Sequence, residues 1–202
     1  MKEIEVNPKG TAILVIDLQK GFVNEGAFCE VPAARKMLPR LQRLIDVCKK
    51  QSIPVIYTRM SHRFIRSTVY PDLWPSHFNA DGSPILVPGS KEFELIEELK
   101  VEEGDILLDK DRYSAFFGTP LDLILKERGV KTLIVTGLAS NVCCESTVRE
   151  AFFLNYRVIF VDDLNVTLND EMHRWAVENI RLVFGYVLSS DELIAKLQKA
   201  RI

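Results

Sequence analysis

Short apolar runs that alternate with stretches of helical spacing constrain this chain more than any other feature. Thr11–Ile16 is unbroken in its apolar character and ends at Asp17, as in a strand buried on both faces. Five further runs have the same look: Ile53–Thr58, Asp105–Leu108, Thr132–Thr136, Val158–Val161 and Val183–Leu188. Between them, Leu38, Leu41, Ile45 and Cys48 recur at helical spacing, with Pro39 in an early turn. Further helices are predicted over about Lys91–Leu99, Pro120–Arg128, Val142–Leu154, Asp170–Ile180 (capped by Asn169 or Asp170) and Asp191–Ala200. The alternation predicts a three-layer α/β/α fold around a six-stranded, mostly parallel sheet. A chain of 202 residues fits one domain, 1–202. Residues 59–89, with Pro71, Pro75, Pro84 and Pro88, break the rhythm and read as a long excursion over one end of the sheet.

Composition narrows the partners. A net charge of −2 argues against nucleic acid and membrane surfaces, which attract basic proteins. No apolar run approaches the roughly 18 residues of a membrane span, and the charged start MKEIEVNPKG does not read as a secretory signal. The four cysteines (Cys29, Cys48, Cys143, Cys144) form no CxxC pair, and two are adjacent. A soluble, reduced, cytoplasmic protein acting on a small molecule is expected.

In an open parallel sheet, ligands bind beyond the carboxyl ends of the strands. Three reactive side chains fall there: Asp17 after the first strand, Lys110 after the third, and Cys143 a short turn after the fourth. If Ser140 or Asn141 caps the next helix, the thiol lies in its first turn. Helix dipole and nearby ammonium are then expected to lower its pKa from about 8.5. Such a set offers a nucleophile, a cation that stabilises it and a proton carrier. Asp17 and Lys110 are expected to serve chemistry more than folding, so that Asn at 17 or Met at 110 leaves the melting temperature intact. Each residue also has a structural reading: a small buried thiol, a solvated lysine, an aspartate closing a turn.

Three segments resemble the isochorismatase-like cysteine hydrolases: Ile16–Gln19, Lys110–Phe116 and Thr136–Thr147 (TGLASNVCCEST). The resemblance spans about residues 11–190. It implies an Asp17–Lys110–Cys143 triad and a cis peptide at Leu138–Ala139. It further implies an oxyanion hole from the N–H groups of Ala139 and Cys143, with Cys144 left as packing. The implied activity is an amidohydrolase that cleaves a small amide or ureido C–N bond through an acyl-enzyme. The alternatives are vinyl-ether hydrolysis of the isochorismatase type and a non-catalytic oligomeric member. A homodimer or homotetramer is implied, with Phe152 and Phe153 as candidate interface residues.

Two departures from the family pattern stand out. Gln19-Lys20-Gly21-Phe22 replaces the common Gln-Asn-Asp-Phe. Thr58-Arg59-Met60-Ser61-His62 lacks the aspartate of the nicotinamidase metal motif. No metal and no cofactor are therefore expected, with His62, Asp72 and His77 as the alternative ligand set. Candidate substrate-binding residues are Gln19, Phe22, Arg59, His62, Trp74, Arg112 and Phe116. The arginines at 59, 63 and 66 suggest a substrate bearing a carboxylate.

Overall fold

A computed structural model describes residues 3–200. Its strands are β1 (Thr11–Ile16), β2 (Val55–Met60), β3 (Ile106–Lys110), β4 (Thr132–Leu138), β5 (Arg157–Val166) and β6 (Tyr186–Leu188). They form one sheet in the order β3-β2-β1-β4-β5-β6, with every neighbouring pair parallel. The helices are α1 (Lys20–Val23), α2 (Ala33–Lys50), α3 (Tyr70–Leu73), α4 (Leu121–Glu127), α5 (Glu145–Phe153), α6 (Asp170–Asn179) and α7 (Ser190–Lys199).

The period of two along β1 builds both outer layers. Ile13 and Val15 enter a core with Leu41, Leu44 and Ile45 of α2 and Leu193 and Leu197 of α7. Ala12, Leu14 and Ile16 enter the opposite core with Leu121 and Leu125 of α4, Val148 of α5 and Val177 of α6. The α/β/α expectation holds, and the sheet is wholly parallel. Among the described residues no helix is long and apolar enough to cross a membrane.

Local expectations fail in four places. Residues 91–99 form turns and a bridge from Leu95 to Gln19, not a helix. Their backbone groups are spent elsewhere: the carbonyls of Glu92 and Glu94 accept from Gly21 and Lys20, and the Ile96 N–H donates to Leu18. Phe93, Ile96 and Leu99 are still buried, so the apolar spacing reports burial while the backbone hydrogen bonds go to a distant segment. Helix α2 begins at Ala33, which puts Pro39 inside it rather than in an early turn. The helix expected from Val142 starts as a π-helical turn over Ser140–Cys144 with neither Ser140 nor Asn141 as side-chain cap. The last strand is cut to Tyr186–Leu188, because Ile180–Phe184 prolongs α6 as a second π-helical turn.

Candidate active site

In the strand order found here, the sheet reverses direction of growth between β1 and β4, and the crevice beyond that point is the expected ligand site. The two strands approach closely there. Gly137 adopts φ 121°, and a Cβ on it would lie 2.1 Å from the carbonyl oxygen of Ile16. Asp17 follows immediately, with φ 53°. Thr58, from β2, donates through Oγ1 to Asp17 Oδ1 at 2.7 Å. That leaves Asp17 Oδ2 for what lies on the other side.

That neighbour is Lys110, the last residue of β3. Its Nζ sits 2.7 Å from Asp17 Oδ2, with both side chains fully buried. The contact is close but not aligned as a hydrogen bond, so Oδ2 has no hydrogen-bond donor among the described residues. Lys110 Nζ also donates to the Arg112 carbonyl at 3.1 Å and to Cys143 Sγ at 3.5 Å, with Met60 Sδ at 3.6 Å. Burial works against the ammonium, yet Asp17 and Cys143 outweigh it and raise the Lys110 pKa above its ordinary value. Cys143 lies on the π-helical turn after β4. Leu138–Ala139 is a cis peptide, and Ala139 and Cys143 both face the same cavity.

The thiol departs from expectation. Burial pushes the Cys143 pKa up to about 12; Lys110 opposes the rise and Asp17 reinforces it. Burial thus favours the neutral thiol over the thiolate, and the ammonium offsets this only in part. Cys144, with no exposed surface, is raised well above its ordinary value by the same burial.

The cavity over this cluster measures about 200 Å³. One wall is a ladder of flat rings from the excursion. Trp74 stacks on His77 at 5.9 Å and 14°, and His77 on His62 at 4.8 Å and 17°. Asn141, whose side-chain oxygen accepts from Thr167, and Met172 of α6 face it.

Residues 11–192 match the Isochorismatase domain family. The chain is 34% identical to Nicotinamidase 3 of Arabidopsis thaliana, over 93% of this chain and 88% of that one. It is 30% identical to the ureidoacrylate amidohydrolase RutB of Acinetobacter baylyi, over 96% and 86%. A solved cysteine hydrolase from Pseudomonas syringae pv. phaseolicola superposes with a TM-score of 0.90 at 30% identity, covering 98% and 97%. The chain belongs to the isochorismatase-like cysteine hydrolase family.

For this cysteine hydrolase, the sequence-predicted substrate residues divide. Phe22, His62 and Trp74 line the cavity. Gln19, Arg59, Arg112 and Phe116 do not, and each has a structural occupation. Gln19 is buried, donating to the carbonyls of Met60 and Phe93 and accepting from the Met60 N–H. Arg59 pairs with Asp109 at 2.7 Å and lies over the Phe93 ring. Arg112 bonds the Asp111 carbonyl and faces Tyr70 on an open groove. Phe116 is core, stacked on Tyr156. Arg63 is taken by Asp111, and Arg66 by the Gly82 carbonyl. Long cationic side chains on a loop find carboxylates nearby, which spacing in the sequence does not reveal.

The alternative metal set also comes apart. Asp72 is exposed, and among the described residues no three His, Cys, Asp or Glu side chains meet as a metal cluster. Two histidines without a third protein ligand do not fit the donor set a hydrolytic metal needs. Sequence reasoning missed Tyr113, Asn141, Thr167 and Met172. Thr167 lies just beyond β5, and the strand-end rule would have found it had the strand been ended at Val166 instead of Val161.

Both cavity histidines are unusual. Burial, then the neighbouring His77, lowers the His62 pKa to about 4; burial lowers that of His77. The folded pKa lies below the unfolded value near 6.5, so the stabilisation is present above that pH. It is lost as pH falls from 6.5 toward 4, and His62 alone accounts for up to about 3 kcal/mol. Melting temperature followed over that window should fall steeply in the wild type and less so in His62→Phe; parallel slopes refute the assignment.

Proposed function

We propose that this protein is an amidohydrolase that cleaves the C–N bond of a small amide or ureido compound through a thioester on Cys143. The supporting observation is the buried cluster of Asp17, Lys110 and Cys143, of which Asp17 and Cys143 line the cavity. The names of its relatives, a nicotinamidase and a ureidoacrylate amidohydrolase, favour the same bond type. The cysteine favours acyl transfer over vinyl-ether hydrolysis.

In this reading the thiol gives its proton to Asp17 Oδ2 as Sγ bonds to the substrate carbonyl carbon. Lys110 touches donor and acceptor, so the proton stays within the cluster while the negative charge passes from the Asp17 carboxylate to the substrate oxygen; no free thiolate forms, and the raised thiol pKa is no obstacle. The N–H groups of Ala139 and Cys143 receive the oxyanion. Collapse breaks the C–N bond and Asp17 returns the proton to the departing nitrogen. A water, deprotonated by Asp17, then attacks the thioester carbon, and Cys143 leaves as the thiol with that proton. The reading includes a reduced cytoplasmic setting and a homodimer or homotetramer, for which exposed Phe153, Trp175 and Leu182 offer apolar surface.

Screening amides, ureido acids and carbamoyl amino acids for ammonia release, with quenched intact-mass detection of an acyl adduct on Cys143, tests the proposal. No release from any compound, or release without dependence on Cys143, refutes it. The roles of Asp17 and Lys110 need a revised stability expectation. Breaking a fully buried ion pair leaves one charge unpaired, at about 3–5 kcal/mol. Asp17→Asn and Lys110→Met should each melt lower, the double variant should recover most of that loss, and all three should be inactive. Retention of near-wild-type kcat in any of them removes the triad.

A further inference from the structure

The ring ladder ends in two polar atoms that nothing in the protein satisfies. His62 is 1% exposed and His77 half-buried, and the Nδ1 of each is buried without a hydrogen-bond partner among the described residues. Burial keeps both rings neutral, so each carries one N–H and one lone pair. A buried polar atom without a partner calls for a water, an ion or a ligand to complete it. Both rings line the cavity that holds Asp17 and Cys143.

The charge balance of the cavity points the same way. None of its described lining residues is an arginine or lysine, and Arg59, Arg63 and Arg66 are committed elsewhere. A carboxylate entering it would lose its water and meet no free cation, since Lys110 beneath the cavity is already paired with Asp17. An N–H donor would find what it lacks.

We propose that the His62–His77 pair is the substrate-selecting wall of this cavity. Its ring nitrogens accept hydrogen bonds from an uncharged amide or urea that carries an N–H donor beyond the scissile group, and carboxylate-bearing substrates are discriminated against. The proposal rests on the amidohydrolase reading and replaces the carboxylate expected from the basic loop. A site built to bind an N–H rejects the analogue without it strongly, because its own polar atoms are then left unpaired.

Three probes share one scissile amide and differ only at the far end: succinamide (neutral, with donor), methyl succinamate (neutral, no donor) and succinamate (anionic). The wild-type enzyme should release ammonia from succinamide with kcat/KM about 100-fold above either of the others. His62→Phe keeps a flat ring but no nitrogen. It should lower kcat/KM on succinamide by about 100-fold and on methyl succinamate by less than 10-fold. His77→Phe, with folding of both variants checked by thermal melting, repeats the test on the second ring. Equal rates on the three probes, a preference for succinamate, or an unchanged preference in both variants overturns the proposal. So does activity that appears only with added zinc, which would make the pair metal ligands. Turnover of other amides in the wider screen with none of succinamide defeats this inference alone. Absence of any amide turnover defeats the amidohydrolase reading beneath it.

Discussion

Cys143→Ala is expected to lower kcat by roughly 10⁴-fold or more, whereas Cys144→Ala keeps most of the activity. The two thiols are adjacent on one helical turn and leave it in different directions, so that Cys143 lines the cavity and Cys144 does not. Cys143 lies 3.5 Å from Lys110 Nζ and lines the cavity. Cys144 packs in the core between sheet and helices with Val148 and Leu133. Its removal should cost about 1 kcal/mol of stability, the scale of one buried methylene-sized group and the small void left behind. Steady-state kinetics and denaturant melts of the two variants decide the matter. A Cys144→Ala enzyme that is dead, beside an active Cys143→Ala, reverses the assignment.

Gly137→Ala is expected to have the largest effect on folding of any single methyl added to this chain. The new Cβ would fall 2.1 Å from the carbonyl oxygen of Ile16 and 2.6 Å from its amide nitrogen, both backbone atoms that cannot turn aside. The position also holds φ 121°, which residues with a Cβ rarely adopt. Either β1 and β4 separate or the strand register breaks, so a loss of about 4 kcal/mol or more is expected. The damage is aimed at the site, since Asp17 follows Ile16 and the cis peptide Leu138–Ala139 follows Gly137. A soluble Gly137→Ala protein that melts within a few degrees of wild type would refute this account of the close approach. By contrast, Ala at Gly26, where nothing lies within 4 Å, meets only the strain of its positive φ.

The apolar runs made the strands and their parallel packing legible, because a strand buried on both faces must be apolar throughout. The strand-end rule then located Asp17, Lys110 and the turn carrying Cys143, since chain order alone places those residues. Hydrogen bonds between distant segments left no such trace. Glu92 and Glu94 are drawn from a helix by the amides of Lys20 and Gly21, which are 74 and 71 residues away in the chain. The arginines of the excursion look like an anion site in sequence, yet Asp109 and Asp111 neutralise two of them across the β2–β3 edge.

The residue pattern by itself determined the layer architecture, the strand ends and the identity of the three buried reactive groups, all of which follow from periodicity and chain order. Only the tertiary structure decided the protonation of the thiol, the fate of the arginines and the meeting of His62 with His77. Those depend on which groups lose water together and which find a partner first. Burial and pairing are properties of the neighbours in space, and 15 residues of chain separate His62 from His77 while 4.8 Å separate their rings.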